Sequence, residues 1–125
     1  MDVTPLVPKG RQLVQGYGDN GFRVSGTRYE GSVWILPEQT IAWPVSAISE
    51  VSPDSLKELI ALSAQHVRIL LIGTGKSMLP MPMAWRIMAR DADVALEAMD
   101  TGAACRTYNV LLTEERSVAA ALIAV

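Results

Sequence analysis

Apolar and polar positions along this chain change their period near residue 50. Before that point they come in short alternating runs. Arg11 to Tyr17 reads as a first strand, ended by Gly16, Gly18, Asp19, Asn20 and Gly21, residue types that favour turns. Phe22 to Tyr29 places Phe22, Val24 and then Gly26 on one side with polar residues between, as a half-buried strand does, and Gly31 breaks it. Val33 to Leu36, a Pro37-Glu38-Gln39 turn and a return strand from Ile41 to Val45 make a hairpin on which Trp34 and Trp43 can pack. Pro44 places that return strand at an edge or at its own end.

After residue 50 the period lengthens. Ser52, Pro53 and Asp54 combine a side-chain cap, a proline at the first helical position and an acid at the positive dipole end. Leu56, Leu59, Ile60 and Ser63 then follow at helical spacing as one core-facing stripe. Val67 to Ile72 is nearly continuous in apolar residues, as in a strand covered on both faces. Pro80 and Pro82 bracket the start of a second helix with Met81, Trp85 and Met88 on one side and Arg86 and Arg90 on another. Val94 to Met99 reads as a second buried strand, Asp100 as the cap of a third helix, and Val118 to Val125 as a closing strand. The last 75 residues therefore alternate α-β-α-β-α-β, a pattern that packs helices on a largely parallel sheet, with the N-terminal hairpins extending or capping it. Residues 1–10, with Pro5 and Pro8, read as an extended arm, and residues 11–125 as one α/β domain.

Composition narrows the partners. The 125 residues are half apolar and 19% charged, which suits a folded domain with a core of its own. A net charge of −2 and a pI near 5.3, with eight Arg and three Lys scattered, argue against general nucleic-acid binding. Cys105 is the only cysteine and His66 the only histidine, which leaves no intrachain disulfide and makes a zinc site improbable. The N-terminus lacks the apolar core of a signal peptide and no apolar run spans a bilayer, so the expected location is cytoplasmic.

Two glycine-containing stretches carry the candidate chemistry. Leu70 to Lys76, LLIGTGK, runs from an apolar strand into Gly73-Thr74-Gly75-Lys76. A phosphate loop would need a glycine where Leu70 stands, and Met78-Leu79-Pro80 cannot continue into a phosphate-capping helix. A dinucleotide fingerprint fails as well, because its third glycine falls on Met78. Gly73 and Gly75 then serve either a sharp exit from a buried strand or a weaker anion- or partner-binding loop.

In the second stretch Asp100 or Thr101 caps a helix whose Gly102-Ala103-Ala104 allow close backbone approach. Ala104, Tyr108, Leu111 and Leu112 face the core, and Gly102, Arg106, Asn109, Thr113 and Arg116 share a polar face. Arg106 is either a solvated surface cation or the partner of an acid such as Asp100 or of a bound anion. Tyr108 reads as a core residue with a satisfied hydroxyl, Cys105 as a small buried hydrophobe, and His66 as a helix-end residue.

The segments GSVWILP, AWPV, LLIGTGK and EAMDTGAACRTYNVLLTEERSVAAALI together resemble the family known as domain of unknown function 498, the Mth938-like domain. Its relatives include a mitochondrial assembly factor of NADH:ubiquinone oxidoreductase and an adipogenesis-associated protein. The resemblance covers about residues 20 to 125 and is densest from Met99 to Leu112. It implies a single three-layer α/β domain with a central mixed sheet and no established enzymatic activity. Arg106, Thr107, Tyr108 and Asn109 match the family motif, with no chemistry assigned to them. The resulting expectation is a non-enzymatic binding or assembly module with protein partners, no cofactor and no metal. The edge formed by the GTG loop (Gly73, Thr74, Gly75, Lys76) and the start of the third helix (Asp100, Thr101, Arg106) would be its contact surface. The alternative is a small-molecule or anion-binding protein or enzyme using Lys76, Arg106 and Tyr108 at the same edge. Both stretches follow strands, so if those strands are parallel the two loops share one carboxyl edge.

Overall fold

The computed structural model describes residues 11–125; the N-terminal arm read at residues 1–10 lies outside them. Eight strands and three α-helices form in the order β1 (Val14–Gly18), β2 (Gly21–Val24), β3 (Thr27–Glu30), β4 (Ser32–Ile35), β5 (Thr40–Trp43), α1 (Pro53–Ala64), β6 (Ile69–Gly73), α2 (Met83–Asp91), β7 (Ala95–Met99), α3 (Thr101–Thr113) and β8 (Val118–Leu122). The first three strands are an antiparallel meander. The other five form a mixed sheet in the order β5-β4-β8-β6-β7, in which β7, β6 and β8 run parallel and β4 runs antiparallel to β8.

One expected strand is two. Phe22 to Tyr29 is broken at Ser25-Gly26, which take φ of 45° and 87° in a two-residue hairpin loop. Serine rarely adopts that region. Here its N–H donates to the Leu13 carbonyl (2.9 Å), its hydroxyl accepts from Leu13 N–H (2.9 Å), and Gly26 N–H donates to Gln15 Oε1 (2.6 Å). The turn is thus held by Leu13 and by Gln15 of β1, from outside its own segment. The tighter signal at Asp19-Asn20, both at positive φ, turns β1 into β2 as expected.

The mixed sheet is the middle layer. On one face α1 and α2 cover a core containing Leu56, Leu59, Ile60, Leu70, Ile72 and Ala121. On the other, α3 and the meander cover Phe22, Ile35, Leu71, Ala120 and Tyr108. The α1 stripe is as expected: Ser52 accepts from Ser55 N–H, and Leu56, Leu59, Ile60 and Ser63 are buried. β8 is buried throughout as VAAAL, and its alanines let both layers approach the centre of the sheet. Trp34 and Trp43 meet on the β4–β5 hairpin with ring centroids 6.1 Å apart, and β5 is a sheet edge that ends just before Pro44.

Candidate functional site

The parallel pairing of β6 and β7 brings the GTG loop and the start of α3 together at one carboxyl edge. Thr101 joins them. Its hydroxyl accepts from Gly75 N–H (3.0 Å) and donates to the Ile123 carbonyl (2.7 Å), while its own N–H donates to the Gly75 carbonyl (2.8 Å). Gly73 sits close to its neighbours: a Cβ there would meet Thr101 Cα and Leu122 Cδ2 at 3.0 Å and would force α3 or Leu122 to shift. Gly75 sits at φ +111°, turning the chain away from the strand.

Thr74 organises the loop that follows. Its N–H donates to the Met99 carbonyl (2.9 Å), and its hydroxyl donates to the Ser77 carbonyl (2.7 Å) and accepts from Leu79 N–H (3.1 Å). Asp100 caps α3 by accepting from Ala103 N–H (2.9 Å).

Farther along α3, side chains tie the helix to β1. Asn109 donates to the Val14 carbonyl (2.6 Å) and accepts from Val14 N–H (3.0 Å), imitating a neighbouring strand. Tyr108, fully buried, donates its hydroxyl to the Gln12 carbonyl (2.6 Å), and burial raises its pKa above the ordinary phenol range. Cys105 is buried, and desolvation pushes its thiol up to about 12, only partly opposed by the Arg106 charge. Arg106 is exposed and does not pair with Asp100: Asp100 caps the helix, and the guanidinium donates to the Tyr17 hydroxyl (3.2 Å). Tyr17 lies 89 residues away in the chain.

The structure therefore brings the expected residues together in two groups. Gly73, Thr74, Gly75, Asp100 and Thr101 are engaged in holding the edge, Tyr108 and Asn109 tie α3 to Gln12 and Val14, and Lys76 and Arg106 are exposed with Thr107 half-buried. A shallow cavity of about 170 Å³ beside Tyr17, Cys105 and Arg106 is the one nearest this group. His66, exposed, lies just past α1, where its carbonyl accepts from the Ser117 hydroxyl (2.8 Å).

The residues that the sequence did not single out follow the loop. Met78, Leu79 and Met83 are exposed, Met78 and Met83 by 60% and 69%, while Met81 between them is buried in the core. The available signal was an apolar run with no periodicity, interrupted by Pro80 and Pro82. Among the described residues no helix is long and apolar enough to cross a membrane. Among them, too, no three His, Cys, Asp or Glu gather as a metal site would require.

Comparison with known proteins agrees with this architecture. Residues 14–123 match the model of a family described as "Protein of unknown function (DUF498/DUF598)". The chain is 31% identical over 111 residues to NADH dehydrogenase [ubiquinone] 1 alpha subcomplex assembly factor 3 of Xenopus tropicalis, a match covering 89% of this chain and 60% of that protein. It therefore spans about three-fifths of that relative's length. An uncharacterized protein of Rhodobacter capsulatus is 36% identical over 114 residues, covering 91% of this chain and 86% of its own. A solution structure from Bordetella pertussis, described as a Mth938-like domain, superposes with a TM-score of 0.83 at 26% identity, over 98% of this chain and 92% of that one.

Proposed function

Given that the chain belongs to the DUF498/DUF598 family, we propose that it is a non-enzymatic protein-contact module that aids assembly of a respiratory-type complex. One observation carries the reading. The loop after β6 holds Met78 and Leu79 in water while Thr74 fixes its backbone and Met81 anchors it in the core. Apolar side chains presented on an ordered backbone suit protein docking, because little conformational entropy is lost when a partner covers them. Lys76, exposed two residues before Met78 in the same loop, would help to orient that partner. The alternative, a small anion held between Lys76 and Arg106, draws less support, since the Thr74 and Thr101 hydroxyls already have partners.

The test is affinity purification of the tagged full chain from its native host, comparing wild type with Met78→Ser/Leu79→Ser and with Arg106→Ala. The expected result is enrichment of subunits of one membrane-associated complex, lost in the double variant while the melting temperature is unchanged. Equal enrichment by wild type and the double variant would overturn the contact surface. No enrichment under gentle conditions would overturn the assembly role.

A further inference from the structure

The mixed sheet ends on β7 with an open edge. Ala95 N–H donates to the Arg68 carbonyl (2.8 Å), and the Met99 carbonyl accepts from Thr74 N–H (2.9 Å). Residues 95, 97 and 99 thus turn their main-chain groups toward β6, and by alternation Leu96 and Ala98 turn their N–H and C=O groups outward. Among the described residues no strand pairs with them.

The two faces beside this edge differ in charge. Leu96 and Ala98 pack with Ala89 and Met88 of α2, so α2 overlies their face of the sheet. Ala95 and Glu97 point to the opposite face and are exposed. A cleft of about 420 Å³ runs along the edge, lined by Arg68, Arg86 and Arg90, by Asp93 beside Arg68, and by Glu97. Arg68 already donates to the Ala64 and Val67 carbonyls (3.2 Å each) and lies 3.6 Å from Asp93. Arg86 and Arg90 make no ion pair among the described residues.

This arrangement selects its occupant. Antiparallel pairing of two copies through β7 needs a two-fold axis perpendicular to the sheet. That axis would set Arg86 and Arg90 against their own copies and put Glu97 on the same face as Glu97. Like charges facing each other disfavour it. An extended strand of another protein, whose side chains alternate between the two faces, meets cations on the α2 face only.

We propose that the free edge of β7 is a strand-addition site for an extended segment of another protein carrying carboxylates at every second position, set against Arg86 and Arg90. Intervening side chains, which meet Ala95 and Glu97, are neutral or basic. Main-chain bonds to Leu96 and Ala98 supply affinity, and the arginines supply register and sign. The site shares no residue with the Met78-Leu79 loop and does not depend on that reading.

The test uses the full chain and two fluorescent decapeptides, one alternating valine with glutamate and one alternating valine with lysine. Anisotropy at low salt should show saturable binding of the glutamate peptide at least about tenfold tighter than of the lysine peptide. Arg86→Glu/Arg90→Glu changes two exposed side chains and should keep the melting temperature while reversing the preference. Amide exchange at Leu96 and Ala98 should slow when the glutamate peptide binds. Absence of binding, a preference surviving charge reversal, or protection elsewhere would overturn the proposal. Self-association that protects Leu96 and Ala98 without peptide would overturn it as well, assigning the edge to a second copy.

Discussion

Helices α2 and α3 follow parallel neighbouring strands and pack on opposite faces of one sheet, yet they are built differently. α3 starts from a side-chain cap and buries Thr101, Ala104, Cys105, Tyr108 and Leu112, and its Asn109 occupies both main-chain groups of Val14 in β1. α2 starts at Pro82 with no side-chain cap and buries only Ala89. Its outward arc, by helical spacing, carries Met83, Arg86, Ile87 and Arg90 together. Around α3 the side chains of Asp100, Thr101, Tyr108 and Asn109 are paired within the chain, and Asn109 covers the Val14 position of the adjoining β1 edge. Around α2 apolar and cationic groups are left to water, beside an open strand edge. The α3 side is scaffold and the α2 side is surface.

Substitutions can break that contrast. The largest effect is expected at Tyr108→Ala, which empties a fully buried aromatic site and should destabilise by about 3–5 kcal/mol in urea denaturation. Thr101→Val comes next. It leaves Gly75 N–H without its acceptor and the Ile123 carbonyl without its donor, and should lose about 2–4 kcal/mol by the same measurement. Asn109→Ala, which unpairs both main-chain groups of Val14, should cost about 1–3 kcal/mol and speed amide exchange at Val14. On the opposite helix, Ile87→Ala should change stability by less than about 0.5 kcal/mol. A loss at Ile87 comparable to that at Asn109 would mean that α2 is scaffold too.

Titration sharpens the contrast in a different way. The Cys105 thiol ionises near 12 in the folded chain against an ordinary value of 9.0, and Tyr108 is shifted in the same direction. Both groups keep their protons in the folded chain where the unfolded chain loses them. The stability they contribute is therefore complete below about pH 9 and falls as pH rises toward and past 12. Each group adds a slope of at most about 1.4 kcal/mol per pH unit. Unfolding midpoints measured from pH 8 to 11 should fall, and Cys105→Ala should flatten the decline. An unchanged slope in that variant would place the alkaline sensitivity elsewhere. At pH 8 the native thiol should resist iodoacetamide and react once urea unfolds the chain.

Much of this architecture is a local property of the chain. The Ser52-Pro53 start and the Leu56-Leu59-Ile60-Ser63 stripe specify α1 because cap and period lie within a few residues of one another. Asp100 marks the start of α3 for the same reason, and the stretch from Met99 to Leu112 carries the family. The sequence alone determined the α/β alternation, the family and the meeting of two loops at one edge if their strands are parallel. The break at Ser25-Gly26 was hidden because Leu13 and Gln15 hold it. The partner of Arg106 was hidden because Tyr17 is 89 residues distant. Only the tertiary structure decided which glycine-loop groups are already paired, that β7 rather than β6 or β8 ends the sheet, and that Arg86 and Arg90 stand beside its open edge. Those outcomes depend on strand order and on contacts between distant segments, which no local period or cap encodes.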